Sequence, residues 1–87
     1  MKVYIVTHEH GNEESCSTSI VSGHLSREKA EKSLKDEKEE CIKEYWEDYE
    51  TNDDVEVDHD IAGLFEIHDR FSCERDEILI QEVEIKD

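Results

Sequence analysis

Eighty-seven residues carry 26 carboxylates against 10 Lys and Arg, a net charge of −16. Such a chain repels nucleic acid and anionic membrane and attracts any surface built to hold a polyanion. The length supports one small domain, residues 1–87, with no room for a second core, and a hydrophobic share of 34% keeps that core thin.

Residues 2–9 read as a strand of β-branched and aromatic residues, with Val3, Ile5 and Thr7 on one side and Tyr4, Val6 and His8 on the other. Residues 10–17 read as a turn and residues 18–24 as a return strand, so the short connection favours an antiparallel hairpin. A helix then starts at Ser26, whose hydroxyl suits an N-cap. Glu28 complements the dipole in its first turn, and Leu25 and Ala30 sit at the positions of a hydrophobic staple.

Ala30, Leu34, Cys41, Ile42, Tyr45 and Tyr49 recur at spacings of three, four and seven, which predicts a helix to about Tyr49 with Trp46 at the margin of its apolar stripe. Glu28 with Lys32 and Glu31 with Lys35 are placed for i,i+4 pairing along it. An acidic connection follows at residues 50–54, and Val55-Glu56-Val57 alternates briefly. Residues 64–71 suggest a strand, although Ile61, Leu64, Phe65 and His68 would also fit a short helix. Residues 72–76 read as a turn, and residues 78–85 as a final strand with Leu79, Val83 and Ile85 on one face. The economical assembly is α+β: a small antiparallel sheet with one long helix on one face, in the order β-β-α-β-β.

The segments Lys2-Val3-Tyr4-Ile5-Val6, Ser26-Arg27-Glu28-Lys29-Ala30-Glu31 and Ile80-Gln81-Glu82-Val83-Glu84-Ile85 together resemble a group of small bacterial and phage proteins of no established activity. The resemblance covers roughly the first 40 residues and the last 10. It implies this fold and an intracellular setting, and it lends no catalytic residue.

Chemistry-bearing motifs are sparse. The cysteines Cys16, Cys41 and Cys73 form no Cys-x-x-Cys pair, which points to free thiols in a cytoplasmic protein, inside a bacterial host if phage-encoded. Cys41 belongs on the helical stripe as a small core hydrophobe, and acidic neighbours make Cys16 and Cys73 poor nucleophiles. Thr7-His8-Glu9-His10-Gly11 resembles the Thr-His-x-His opening of metallo-β-lactamase-type hydrolases. That family's next Asp-His pair is missing, with Asn12, Glu13 and Glu14 following instead, and the chain is too short for its fold. His8 and His10 are accordingly expected as solvated loop histidines. Asp58-His59-Asp60 and His68-Asp69 read as surface electrostatics, carboxylate pairs are too common to mark an acid–base site, and no Gly-rich phosphate loop or basic patch occurs. Neither an enzyme nor a cofactor is expected.

Charge distribution is the remaining signal. Residues 51–87 carry thirteen acids and three Lys or Arg, and residues 44–60 carry nine acids and neither base. The candidate partner-binding set is Glu44, Glu47, Asp48, Glu50, Asp53, Asp54, Glu56, Asp58 and Asp60, interleaved with Tyr45, Trp46 and Tyr49 as apolar anchors. The leading expectation is a small acidic inhibitor, anti-CRISPR-like, that mimics nucleic acid and blocks a basic groove of a nuclease or other nucleic-acid-binding protein, with no direct contact to nucleic acid or membrane. A homodimeric structural module, whose charge merely maintains solubility, is the second reading. A small metal-binding protein using His8 and His10, with zinc or manganese, is the third.

Overall fold

Hydrophobic alternation in the first and last segments brings the two ends of the chain together at the centre of one sheet. The computed structural model, which describes residues 1–86, contains β1 (Lys2–Gly11), β2 (Cys16–His24), α1 (Arg27–Tyr45), β3 (Val55–Ile61), β4 (Leu64–Asp69) and β5 (Arg75–Glu84). The strands form a single antiparallel sheet in the order β2-β1-β5-β4-β3. β1 and β5 pair over their full lengths, from Lys2 opposite Glu84 to Gly11 opposite Arg75. The α+β architecture is therefore as expected, and the brief alternation at Val55–Val57 extends into β3 at the sheet's edge. Val57 opposite Ile67 packs against the core, and a bulge between Val57 and His59 shifts the register beyond it.

α1 lies across one face and leaves the other uncovered. Beneath it Val6, Phe65, Ile67, Ile78 and Ile80 meet Ala30, Leu34 and Cys41. On β5 the buried residues are Asp76, Ile78 and Ile80, whereas Leu79 and Val83 share the opposite side and Ile85 lies just past the strand's end at Glu84. Period-two alternation is equally satisfied by either face, and only the docking of α1 distinguishes them. The one-sided layer is flat, 47 × 25 × 18 Å, and exposes 6173 Å², more than the roughly 5,300 Å² of a compact monomer of this mass. Among the described residues no helix is long and apolar enough to cross a membrane.

Several boundaries differ from the sequence expectation. β1 continues through His10 and Gly11, and β2 begins at Cys16, which confines the turn to residues 12–15. There Asn12 accepts from the backbone N–H groups of Glu14 and Ser15. Ser26 caps α1 by accepting from the Lys29 N–H at 3.4 Å, but Leu25 is 71% exposed, so no staple closes over the first turn. The i,i+4 ion pair formed is Arg27 with Glu31, in place of those expected at Glu28–Lys32 and Glu31–Lys35.

The helix stops at Tyr45 rather than near Tyr49. Trp46 leaves the helical conformation as C-cap and turns inward to 5% exposure, and a turn through Asp48 and Thr51 follows. Helical periodicity persists beyond Tyr45, but the bond that Trp46 makes across the core overrides it.

Candidate functional site

Strand period two puts Val6, His8 and His10 of β1 on the helix-facing side, and one helical turn aligns Glu37 with Cys41 on α1. The same alternation that buries Ile78 and Ile80 carries Asp76 of β5 into the core at 1% exposure. These three elements converge on one carboxylate. Asp76 Oδ1 accepts from His8 Nε2 at 2.6 Å and from His10 Nδ1 at 2.9 Å, and Asp76 Oδ2 accepts from the Trp46 indole N–H at 2.7 Å. The other His8 nitrogen, Nδ1, lies 2.8 Å from Glu37 Oε2.

With a carboxylate at each ring nitrogen, His8 donates twice and is held as the imidazolium. Its pKa is pushed up to about 11, chiefly by the Asp76 hydrogen bond, with Cys41 and Glu37 adding to it against the opposing effect of burial. Burial pushes the Asp76 carboxyl up, yet the bonds donated by His8, Trp46 and His10 outweigh it and hold the group below the usual range. Burial also pushes up the Cys41 thiol, whose Sγ is 3.8 Å from His8 Nε2.

This geometry does not activate a nucleophile. Glu37 on Nδ1 and Cys41 beside Nε2 have the order of a thiol relay, but a relay needs a nitrogen free to take the thiol proton. Here Asp76 holds the Nε2 proton and keeps the ring an imidazolium that accepts no other. The thiol is also buried and harder to ionise than a free one. What the set does offer is ligation: one donor atom each from His8, Cys41 and Asp76 lie within 4.8 Å of one another, as do those of Glu56, Asp58 and His68 at the surface.

Two expectations are corrected here. His8 and His10 are strand residues bound to a buried acid rather than solvated loop histidines, and Asp76 belongs to β5 rather than to a turn at residues 72–76. The available signal was the continuation of the Ile80, Ile78 alternation to position 76, where an inward-facing acid demands a buried cationic partner.

The acidic segment is divided by the fold. Glu44, Glu47, Asp48, Glu50, Asp53 and Asp54 are exposed and make no ion pair among the described residues. Glu56 and Asp58 both approach His68, the latter at 2.6 Å, and Asp60 pairs with Lys38 of α1 at 2.6 Å. Those three acids therefore have internal partners, contrary to the expectation for the whole segment.

Among the aromatics, Tyr45 is 54% exposed and stacks on His10 with centroids 5.3 Å apart, and Tyr49 is half-buried against the core. Trp46 is buried and committed to Asp76, so it offers a partner nothing. Arg70 fixes the connection before β3 by donating its guanidinium to the Asp53 carbonyl and its backbone N–H to that of Asp54. Glu44, Glu47, Asp48, Asp69 and Glu74 line an open groove of about 350 Å³ at this end of the molecule.

Comparison with known proteins finds no matching family model, no curated relative and no similar solved structure.

Proposed function

We propose that this chain is a small acidic binding protein that lays the carboxylates of Glu44, Glu47, Asp48, Glu50, Asp53 and Asp54 on a basic groove of a nucleic-acid-binding protein, as a phage-encoded inhibitor of the anti-CRISPR type would. The observation that carries this reading is the exposure of six acids on one short segment with no cation paired to them among the described residues. Their field is free to act on a partner within a Debye length of about 8 Å. The half-exposed ring of Tyr45 adjoins them as an apolar contact.

Binding to a basic nuclease, read as displacement of labelled duplex DNA, is expected to weaken steeply between about 50 and about 200 mM salt, as polyanion recognition does. The quadruple reversal E47K/D48K/D53K/D54K should abolish displacement with the circular dichroism spectrum retained. E28K/E31K should disturb α1, where Glu31 pairs with Arg27, and leave displacement nearly unchanged. A flat salt dependence, or the opposite behaviour of the two variants, removes the mimicry reading.

A homodimer is the second reading, favoured by the uncovered sheet face. By strand alternation Val3, Ile5, Leu79 and Val83 lie together there, and Ile20 opposite Thr7 is 74% exposed. Light scattering is expected to show a doubled mass at raised salt, where the mutual repulsion of two −16 chains is screened, if this face is the contact.

A further inference from the structure

We propose that His8, Cys41 and Asp76 form a binding site for a borderline divalent cation, Zn²⁺ above all, with His10 as the nearest donor for the fourth place. Imidazole, thiolate and carboxylate together suit zinc and disfavour the hard cations magnesium and calcium. A tetrahedral zinc site needs donors separated by about 3.2–3.8 Å. His8 Nε2 and Cys41 Sγ already stand 3.8 Å apart. The His8 Nε2 to Asp76 Oδ1 separation of 2.6 Å must open by about 0.6 Å to enter that range. His10 Nδ1, 2.9 Å from the same Asp76 oxygen, needs a smaller opening, and its proton must pass from Nδ1 to Nε2 before Nδ1 can ligate.

The outer contacts are those a metal site requires. Histidine ligands characteristically give their other ring N–H to a carboxylate, which fixes the tautomer and the ring's aim. His8 Nδ1 does this with Glu37 at 2.8 Å, and Trp46 anchors the far oxygen of Asp76 at 2.7 Å, which leaves Oδ1 to face His8 and Cys41. The Glu56, Asp58 and His68 group lies at the surface and has no thiol. His10, at 40% side-chain exposure, is the solvent-facing member of the inner group and marks the way in.

Charge balance is preserved. A dication that displaces the imidazolium proton of His8 and the thiol proton of Cys41 leaves the total charge of the centre unchanged, and the two protons go to solvent. Because the ligands come from β1, α1 and β5, the metal would join three elements of a thinly cored domain, which makes its binding free energy a contribution to folding. Ligands so dispersed escape any search for paired cysteines.

The test uses the full chain carrying C16S/C73S, so that Cys41 is the remaining thiol. Titration with Co²⁺ is expected to give a thiolate-to-cobalt charge-transfer band saturating at one metal per chain. Zn²⁺ should displace the cobalt and raise the thermal midpoint, and Mg²⁺ should do neither. Adding C41S should remove the band and lower zinc affinity more than about 100-fold, while E37Q, acting one bond further out, should lower it about 10–100-fold. H68Q should have no effect. C41S changes one buried atom, so its folding can be verified by circular dichroism, and it carries the test where H8Q fails to fold. A folded C16S/C73S protein with no band and no thermal shift overturns the proposal. So does a C41S protein that keeps its zinc affinity, or a loss of binding in H68Q instead.

Discussion

Asp76→Ala is expected to leave the chain largely unfolded at 25 °C. The carboxylate is the shared acceptor of His8, His10 and Trp46, and it is 1% exposed. Its removal leaves the part-buried His8 imidazolium with Glu37 as its one carboxylate and the buried Trp46 indole N–H with no acceptor, while His10 can turn to water. Breaking a buried charge pair by deleting one partner costs about 3–5 kcal/mol, against a total of about 5–15 kcal/mol for a typical domain, and this one is thinly cored. Asp76→Asn should fall between wild type and Ala: its amide oxygen still accepts, but its NH₂ group opposes a donor. Trp46→Phe keeps the ring in the core and orphans only Asp76 Oδ2, so about 1–3 kcal/mol is expected. Urea unfolding of the three variants reads the series. Equal stabilities for wild type and Asp76→Ala would show that the network is dispensable.

In protein freed of metal by a chelator, stability is expected to fall as pH rises from 6.5 toward 11. His8 has an ordinary pKa of 6.5 in the unfolded chain and one of about 11 in the folded protein. The folded state therefore keeps a proton that the unfolded state releases. The resulting stabilisation is fully present below pH 6.5, declines by up to about 1.4 kcal/mol per pH unit above it, and is gone above pH 11. The groups facing His8 act in the same direction: the carboxylates of Asp76 from β5 and Glu37 from α1 both favour the imidazolium. Cys41 of α1 adds a decline of the same sign from its ordinary value of 9.0 upward, because burial keeps the folded thiol protonated. His10 and the Trp46 indole complete the surroundings on Asp76. Urea midpoints measured between pH 6.5 and 9.0 isolate the His8 contribution, and His8→Gln should flatten the curve there. An unchanged slope in that variant would place the pH dependence elsewhere.

Much of the architecture was legible in local pattern. The β-branched run at Val3–Thr7, the Ser26-Arg27-Glu28 helix start, and the alternation at Ile78–Ile80 each satisfy a short-range rule of spacing or capping, and those rules operate over a few residues. Cys41 was legible as a core residue for the same reason, since it falls on the apolar stripe of α1. The site was not legible. His8 and Asp76 meet across 68 positions, and Trp46 and Asp76 across 30. The alternation of Ile80 and Ile78 reaches Asp76, but no local rule says which distant residues supply the partners of an acid placed there.

The acidic segment shows the same division. Its composition is a property of the chain alone, and so is the bias toward basic partners. Which of its acids remain free was decided by the fold: the β3 bulge and the approach of β4 and α1 give Asp58 to His68 and Asp60 to Lys38, while Glu44 through Asp54 stay outside the sheet. Net charge, strand and helix periodicity, and capping were determined by the sequence by itself, because each depends on residues close together along the chain. The face that β5 buries, the end of α1 at Trp46, and the pairing of His8 with Asp76 were decided only by tertiary structure. All three follow from one long-range event, the packing of α1 over the β1–β5 pair, in which burying a charge demands that its partner be brought from a distant part of the chain.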